Sequence, residues 1–433
     1  MKIPQTPPKI SEILKKHHST VFKLLENEKV QAIIAKYNKK YTHWDLLRYK
    51  KLPEKPEYIW TLLKVFRTQQ YKILKFNKWV FPFILHDDCL KKLHLLDKGA
   101  GGNLETGLNS LNNEGQERYI ISSLMEEAIA SSQLEGAATT RKIAKEILKL
   151  RKKPKDYSQQ MIINGYKTMQ RIVKMKEKKI TPETILDLHK EITLNTLKSK
   201  FEEGVFRDNN EIVVADPVIS ENIFHHPPDF KKIPELMKEF CEFASDDDHD
   251  FIHPIIKGII LHFLIGYIHP FNDGNGRTAR SIFYWYVLTR GYWLFEYMAV
   301  SRILLRSKTN YGLAYLYTET DDNDLTYFIN FNLDVIEEAQ KEMEKYLSQK
   351  QKEQNEAMKL IQGIKDINLR QAEILKEFSK NPTRNFVIAE IVSTYGSAYD
   401  TIRNDLFHLE ALGYIKKKKL VKKYIFRLNK DNF

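Results

Sequence analysis

The chain has 433 residues, a length that allows two or three domains, each with a core of its own. Its composition, 42% hydrophobic and 29% charged, is that of an ordinary soluble protein, and its two cysteines form neither a metal-binding nor a disulfide pattern. The formal net charge of +13 comes from scattered basic residues, which indicate a solvated surface, and from one dense cluster at Lys416–Lys419 and Lys422–Lys423. Because the N-terminus lacks the apolar core of a signal peptide, we expect a protein of the reducing cytoplasm.

Residues 1 to 116 are predicted to be mostly helical and to pack against the region that follows. Pro53, Pro56 and Pro82 should interrupt the helical segments. Three tryptophans are expected to anchor this packing: Trp44, Trp60 and Trp79. The glycine cluster Gly99–Gly102, with the polar residues up to Gly115, predicts a loop.

A helical pattern begins at about Glu117 and ends at Gly136, which has the position of a glycine just beyond a helix C-terminus. Glu135 then lies in the last turn, where a carboxylate opposes the helix dipole by ~0.3–1 kcal/mol. Pairing with an arginine would remove this conflict. Thr181 and Pro182 predict a later helix start, with threonine as the cap and proline at the first helical position.

A short β-rich segment at Glu211–Val214 interrupts the helices. The apolar stretch Ile255–Ile268 is too short to cross a bilayer and is interrupted by Lys257 and His262, so we expect a buried helix. Inside such a helix, His262 is expected to be a hydrogen-bonded core residue rather than a zinc ligand.

The run from His269 to Arg280, HPFNDGNGRTAR, connects this helix to the next. Its Gly-Asn-Gly turn can direct several backbone N–H groups at one point, and the following helix adds the positive end of its dipole. Asp273 offers a hard oxygen ligand for Mg²⁺ beside a phosphate, and Arg277 and Arg280 can bind further phosphate oxygens. His269 can accept a proton near neutral pH. The run therefore predicts a triphosphate-binding site with a base at its edge.

Further helices are predicted at about residues 300–317 and 324–347, and a charged helical connector at 337–368. The tail, residues 369–433, should form helices at about 371–378, 387–394 and 399–412. Two short strands, 414–415 and 424–426, should flank a basic turn that contains the lysine cluster. This order resembles a winged helix-turn-helix domain.

The run HPFNDGNGRTAR matches all nine fixed positions of the twelve-residue signature HPFx[D/E]GNGRxxR of the Fic (Fido) family. The chain thus resembles Fic proteins, most of which transfer AMP from ATP to protein hydroxyl groups. The resemblance implies a mainly α fold, with a Fic-type helical core and a short β-hairpin flap in residues 117–336, before the connector and the winged helix.

By this resemblance, His269 is the catalytic base, which takes the proton of a Ser, Thr or Tyr hydroxyl as it attacks the α-phosphate and releases pyrophosphate. Asp273 is the implied ligand of Mg²⁺ across the phosphates of ATP. The other nucleotide-binding residues implied by the signature are Gly274, Asn275, Gly276, Arg277 and Arg280.

The run Ser131-Ser132-Gln133-Leu134-Glu135-Gly136 matches the family's inhibitory motif, [S/T]xxxE[G/N]. The resemblance implies that Glu135 pairs with Arg280 and competes with the γ-phosphate, from the end of an inhibitory helix at about 117–136. Ser131 and Gly136 complete the motif. The same carboxylate could instead orient a water for the removal of AMP.

The β-rich segment with Val214 lies where Fic proteins carry a flap, whose exposed edge can hold an extended target segment by main-chain pairing. A purely structural hairpin is the alternative. Tyr311 lies on a helix that contacts adenosine in this family, although an aromatic stripe at helical spacing is equally typical of a core.

Two other interpretations stay open. Another Fic reaction, such as phosphate or phosphocholine transfer or the removal of AMP, would use the same site. A DNA-binding regulator would use residues 397–427, with the lysine cluster and four residues of the recognition helix: Tyr399, Thr401, Arg403 and Asn404. The implied partners are protein targets with exposed hydroxyl groups, the protein itself and a second copy in a homodimer, without a membrane.

Overall fold

The computed structural model describes residues 1–101, 113–175, 178–216, 219, 221–245, 251–364, 366–395, 397–420 and 423–431. The chain forms two compact units. The first contains Met1–Gly101, Arg171–Trp293 and Ile303–Glu337, and the second contains Gly102–Gln170, Leu294–Arg302 and Glu338–Phe433. The predicted mainly α fold is confirmed. Among the described residues, none of the helices combines the length and the apolar character needed to span a membrane.

The helices, numbered in chain order, are α1 (Ile10–Lys23), α2 (Glu28–Lys39), α3 (Trp44–Leu47), α4 (Pro56–Thr68), α5 (Asp87–Leu96), α6 (Asn113–Leu134), α7 (Arg141–Lys149), α8 (Tyr157–Lys174), α9 (Pro182–Thr193), α10 (Ile233–Ser245), α11 (Pro254–Ile268), α12 (Asn275–Thr289), α13 (Val300–Arg306), α14 (Lys308–Thr320), α15 (Thr326–Gly363), α16 (Leu369–Lys380), α17 (Ile388–Tyr395) and α18 (Tyr399–Ala411). The strands are β1 (Lys72–Phe76), β2 (Trp79–Phe83), β3 (Val214–Ala215), β4 (Ile223–His225), β5 (Phe386–Val387), β6 (Ile415–Leu420) and β7 (Lys423–Leu428). They form three antiparallel sheets in the orders β1-β2, β3-β4 and β5-β7-β6.

Helix α11 lies at the centre of the first unit and is apolar on every side. Almost all of its residues are buried, as the sequence predicted, and it packs against α12 and α10. Each fully buried Ile, Leu or Phe side chain contributes ~1.5–3 kcal/mol to this core. The packing fixes the end of α11, and therefore the start of the loop that contains the signature.

Helix α9, which packs against α12, begins where the sequence predicted. The hydroxyl of Thr181 accepts a hydrogen bond from the N–H of Thr184 at 3.3 Å, and the Thr184 hydroxyl accepts one from the N–H of Thr181 at 2.8 Å. Pro182 occupies the first turn, where its missing N–H costs nothing.

The N-terminal region is mostly helical, and it also contains a β-hairpin at residues 72–83 that the sequence analysis did not predict. Strands β1 and β2 pair around the two-residue turn Asn77-Lys78, in which Asn77 has a φ of +49°. Pro82 lies within β2 rather than between helices. A two-stranded sheet has only edge strands, where a residue without an N–H is tolerated. The predicted loop after Gly99 lies largely outside the described residues.

The tail contains the predicted three helices, α16 to α18, and a small antiparallel sheet. The predicted basic turn was wrong, because Lys416–Lys419 lie within the edge strand β6 and not between two strands. Their side chains are exposed, and charged residues are common on such edges, which they protect from pairing with other chains. Residues 421–422, between β6 and β7, are outside the described part.

A buried ionic network joins α4 to the turn between α14 and α15. Lys64 lies 2.8 Å from Asp321 and 3.7 Å from Asp324. The hydroxyls of Tyr41 and Tyr71 donate to Asp324, at 2.6 and 2.7 Å. Arg67, fully buried nearby, donates to backbone and side-chain oxygens. The positive charges of two buried cations are therefore neutralised by two buried carboxylates inside the first unit.

We expect Asp324→Asn to lower the free energy of unfolding by ~3 kcal/mol, because it leaves two buried cations with one counter-charge. The matched control is Asp322→Asn in the same turn. Asp322 is exposed and has a φ of +56°, a conformation that asparagine adopts readily. Urea unfolding of both variants checks the difference, and equal effects would contradict the importance of the buried charge.

Candidate active site

His269 terminates α11 in the left-handed conformation, with a φ of +49° and a ψ of 58°. Its N–H donates to the carbonyl of Ile265 at 2.9 Å, and its ring Nδ1 lies 3.2 Å from the carbonyl of Gly266. A carbonyl can only accept, so Nδ1 carries the proton in this contact. Nε2 is then the ring nitrogen that can accept a proton from another group.

The side chain of Asn275 holds the loop between α11 and α12 closed. Its Nδ2 donates to the carbonyl of Phe271 at 2.7 Å, and its Oδ1 accepts from the N–H of the same residue at 3.0 Å. Both residues are buried. One amide side chain thus supplies the two hydrogen bonds that regular structure would have given to the Phe271 backbone.

His189 of α9 supports the same loop from the other side. Its Nδ1 accepts from the N–H of Gly204 at 3.0 Å, so Nε2 carries the proton and donates to the carbonyl of Asp273 at 2.9 Å. The ring stacks on Phe271 with a centroid distance of 3.7 Å. Burial lowers the pKa of His189 to about 4, so the ring is neutral at physiological pH.

Gly274 is required by both its conformation and its surroundings. It has a φ of +83° and directly precedes α12. A Cβ atom at this position would lie 2.8 Å from Cγ2 of Thr193 and 3.2 Å from Nε2 of His189. A side chain here would therefore push the loop away from α9.

The first turn of α12 presents backbone N–H groups at residues 275–277. No hydrogen bond within the described part of the chain uses these three groups, as is usual at a helix N-terminus. The carboxylate of Asp273 accepts from the N–H of Gly274 at 2.5 Å and from Arg277 at 3.3 Å, and it is half exposed. The geometry matches a site for a phosphate beside a single carboxylate.

The two signature arginines are buried on α12, three residues apart. Arg277 donates to the carbonyl of Ile192 at 3.2 Å, and its Nε is a buried donor that has no partner among the described residues. A buried unsatisfied donor is costly, and a bound anion would remove that cost. Arg280 lies near His262, whose pKa is lowered to about 3 by burial and then by this guanidinium.

Arg207 is a supporting residue to which the sequence analysis assigned no role. Its Nε donates to the carbonyl of His269 at 2.9 Å, its terminal nitrogens donate to the carbonyls of Asn209 and Pro228, and its N–H donates to the carbonyl of Pro270 at 2.9 Å. Burial lowers its pKa without neutralising it. Apart from the side-chain oxygen of Asn210, these partners are main-chain carbonyls, which no sequence pattern could have identified.

A β-hairpin forms at the predicted flap, but only partly from the predicted residues. Strand β3 contains Val214 and Ala215 and pairs with β4, whereas Glu211 turns back to the side chain of Asn209 and is not in a strand. In β4, His225 lies 2.6 Å from the carboxylate of Glu319 on α14 and 2.7 Å from the carbonyl of Tyr267 on α11.

Tyr311 lies on α14 within a cluster of aromatic rings. Its hydroxyl lies 2.7 Å from Nε2 of His262, and its ring neighbours Tyr315 and Phe328. His262 is thus a hydrogen-bonded core residue. Tyr311 itself is half-buried, so part of its ring remains accessible.

The predicted inhibitory motif lies in the second unit, at the end of α6. The helix ends at Leu134, and Gly136 has a φ of +94°, as expected for a glycine just beyond a helix. The N–H of Ala137 donates back to the carbonyl of Ser132 at 3.0 Å and closes the helix end. Glu135 is exposed and Ser131 is half-buried.

Comparison with known proteins agrees with this geometry. The Fic/DOC family model matches residues 179–287, which include α9, the hairpin, α11, the loop and most of α12. Residues 179–287 of this chain therefore resemble a Fic domain.

The curated relatives extend the comparison over part of the chain. A protein named protein adenylyltransferase Fic from Nematostella vectensis is 25% identical over 156 residues, which are 36% of this chain and 32% of the relative. The protein of the same name from Drosophila melanogaster is 30% identical over 113 residues, 26% of this chain and 21% of the relative. The chain therefore spans about a fifth to a third of the length of the curated relatives it matches.

Solved structures share the fold. A Fic family protein from Desulfovibrio desulfuricans G20 has a TM-score of 0.51 at 16% identity, over 79% of this chain and 94% of that chain. A fragment of Fic-1 from C. elegans has a TM-score of 0.51 at 15% identity, over 76% of this chain and 85% of that chain.

We expect the support from His189 to weaken at low pH. Its folded pKa is about 4 against an ordinary value of 6.5, so the unfolded chain binds the proton more tightly and stability falls as pH drops from 6.5 towards 4. His189→Gln can still donate to the Asp273 carbonyl but cannot titrate. Between pH 7.5 and 4.5, wild type should lose ~2–3 kcal/mol more unfolding free energy than the variant in urea titrations. Identical losses would contradict this role.

Proposed function

We propose that this protein transfers AMP from ATP to hydroxyl side chains of target proteins and of its own chain, with release of pyrophosphate. The single observation that carries the proposal is the placement of His269. Its imidazole precedes a loop held in place by Asn275 and His189, and that loop leads directly to the unpaired N–H groups of α12.

The start of α12 fits the phosphates of a nucleotide. Three backbone N–H groups point out of the helix end, where the dipole adds positive potential. Arg277 and Arg280 supply guanidinium groups, and the orphaned Nε of Arg277 would gain an acceptor. Positioning and charge neutralisation of this kind supply most of the catalysis in phosphoryl transfer.

Asp273 would hold Mg²⁺ together with the phosphates. No group of three or more metal-ligating side chains occurs within the described residues, and Mg²⁺ typically uses one or two carboxylates plus phosphate oxygens and water. Bound there, the ion would neutralise developing charge on the phosphates. The half-exposed carboxylate of Asp273 suits that arrangement.

His269 would act as the general base. With Nδ1 donating to Gly266, Nε2 removes the proton of the incoming hydroxyl as its oxygen bonds to the α-phosphorus. The bond from that phosphorus to the bridging oxygen breaks, and pyrophosphate leaves. General-base catalysis of this kind contributes about 10²–10⁴-fold to the rate.

Strand β3 would position the target. Within the described residues β3 pairs with β4 alone, so the edge containing Val214 can accept an extended segment through main-chain hydrogen bonds. Tyr311 would contact the adenosine with the accessible part of its ring. Both roles come from the family resemblance and agree with the positions of these residues in the first unit.

Glu135 would inhibit the reaction by pairing with Arg280 in place of the γ-phosphate. Its position beside the C-terminus of α6 supports this role, because a guanidinium group would offset the unfavourable interaction between the carboxylate and the helix dipole. The glycine that follows, with its positive φ, ends α6 and leaves the side chain exposed.

We expect His269→Ala to abolish transfer while ATP binding is largely retained, because the imidazole accepts the proton of the hydroxyl and does not bind the phosphates. Incubation with Mg²⁺ and ATP labelled at the α- or the γ-phosphate checks this: wild type should retain label from the α position only. His94→Ala, an exposed histidine on α5, is the control and should behave like wild type. Label retained from the γ position would instead indicate a kinase-like reaction.

We expect Glu135→Gly and Glu135→Gln to raise self-labelling by on the order of tenfold, a typical size for coupling between two sites. The glutamine variant keeps the side-chain shape and removes only the charge. It therefore distinguishes the effect of losing the ion pair from the effect of a changed helix end. Unchanged labelling in both variants would reject the inhibitory role. Slower loss of label from pre-labelled protein in Glu135→Gln would assign the carboxylate to AMP removal.

A further inference from the structure

The second unit contains a groove that the proposed AMP transfer does not use. It has a volume of about 940 Å³, close to the upper end of the ~300–1,000 Å³ typical of binding sites. Helices α6, α7 and α8 form one wall, and α17 with the start of α18 forms the other. We call it the basic groove, for the residues described next.

The floor of the basic groove is apolar and only partly covered. Its side chains come from four helices: Ile121, Met125, Leu148, Ile163, Tyr166 and Val392. Four of them, Ile121, Ile163, Tyr166 and Val392, are half-buried and pack at the margins of two hydrophobic clusters. Leu150 and Tyr399 at the edge are 37% and 53% exposed. A concave surface with an apolar floor of this kind is typical of a binding site.

The rim of the basic groove is strongly positive. Arg151 lies two residues beyond the end of α7 in the left-handed conformation, with a φ of +49°, and the chain then continues along the rim through Lys152 and Lys153. Lys149 and Lys167 complete the set, and among the described residues that line the groove Glu117 is the one acidic side chain. All five cations are exposed.

Most of these cations lack a carboxylate. Lys152 pairs with Glu146, but no ion pair within the described residues involves Lys149, Arg151, Lys153 or Lys167. The pKa of Lys149 is lowered, first by partial desolvation of its ammonium group and then by the nearby charge of Lys145. Carboxylates of a ligand would compensate these charges.

We propose that the basic groove binds an acidic amphipathic helix of a partner protein, with apolar side chains on the floor and Glu or Asp side chains against the rim. The concave apolar floor favours this occupant over a DNA duplex, whose convex surface presents phosphates and no side chains to bury. An anionic membrane is disfavoured for the same reason, because a groove cannot lie flat on it.

The geometry of the tail agrees with a protein partner. Tyr399, at the start of α18, lines the groove, so the N-terminal end of this helix faces α6–α8 within the same unit. Asp405 on this helix is buried and bound by Arg370 and Gln371. Arg403 lies over the ring of Phe407, 5.1 Å from its centroid.

The test uses the full chain and fluorescence anisotropy with a labelled peptide of about 16 residues, Leu at positions i, i+3, i+4 and i+7 and Glu elsewhere. We expect the double variant Lys153→Glu, Lys167→Glu to weaken binding at least tenfold. The matched control, Lys418→Glu with Lys419→Glu on β6, makes the same change in net charge in the same unit and should leave binding within twofold of wild type.

Several outcomes would overturn the proposal. Equal weakening by the two double variants would mean general electrostatic attraction. A second peptide has the same composition, but its leucines no longer lie on one helix face. If it binds equally well, the apolar floor does not recognise the helix. Binding of a 30-base-pair duplex or of vesicles with phosphatidylserine, but not of the peptide, would assign the surface to nucleic acid or lipid. All substituted lysines are exposed, so both variants should fold, and unchanged thermal unfolding confirms this.

Discussion

The loop between α11 and α12 belongs to no helix or sheet, so its polar backbone groups depend on side chains for their hydrogen bonds. Asn275 binds the middle of the loop, His189 binds its end, and Arg207 binds its beginning. All three side chains are buried, and they come from α12, α9 and the segment before β3. The imidazole of His269 and the N–H groups of α12 have fixed relative positions because these three contacts hold the irregular backbone between them.

The N-terminal hundred residues contribute to the same arrangement through charge. Lys64 on α4 pairs with Asp321, which follows the last turn of α14. Helix α14 carries Glu319, and Glu319 binds His225 of the flap strand β4. The buried network therefore fixes the helix to which the flap is attached. The N-terminal region also contacts the flap directly, because the N-terminal ammonium group of Met1 pairs with Asp216, the residue after β3. Tyr311 lies on α14 too. The same helix therefore positions both the flap, which is proposed to bind the target, and the residue proposed to contact the adenosine.

The sequence predicted those parts of the structure that depend on local rules. The cap at Thr181, the apolar helix α11 and the three helices of the tail follow from residue type and spacing. The signature predicted the resemblance to the Fic/DOC family, whose model matches residues 179–287. The sequence did not predict the roles of His189 and Arg207, because their partners are main-chain carbonyls far along the chain. The β1-β2 hairpin was overlooked although Asn77 is a typical turn residue. Most of strand β6 was not predicted, because its four consecutive lysines give neither face of the strand an apolar pattern.

The left-handed backbone of His269 also restricts which amino acids this position can hold. For most side chains that conformation costs roughly 1–2 kcal/mol, whereas asparagine and glycine adopt it readily. Loss of the imidazole by substitution to asparagine would therefore leave the peptide geometry at the end of α11 nearly unstrained. Asparagine at this position would therefore keep the course of the loop and remove the imidazole, so the proposed phosphate site would persist without its base.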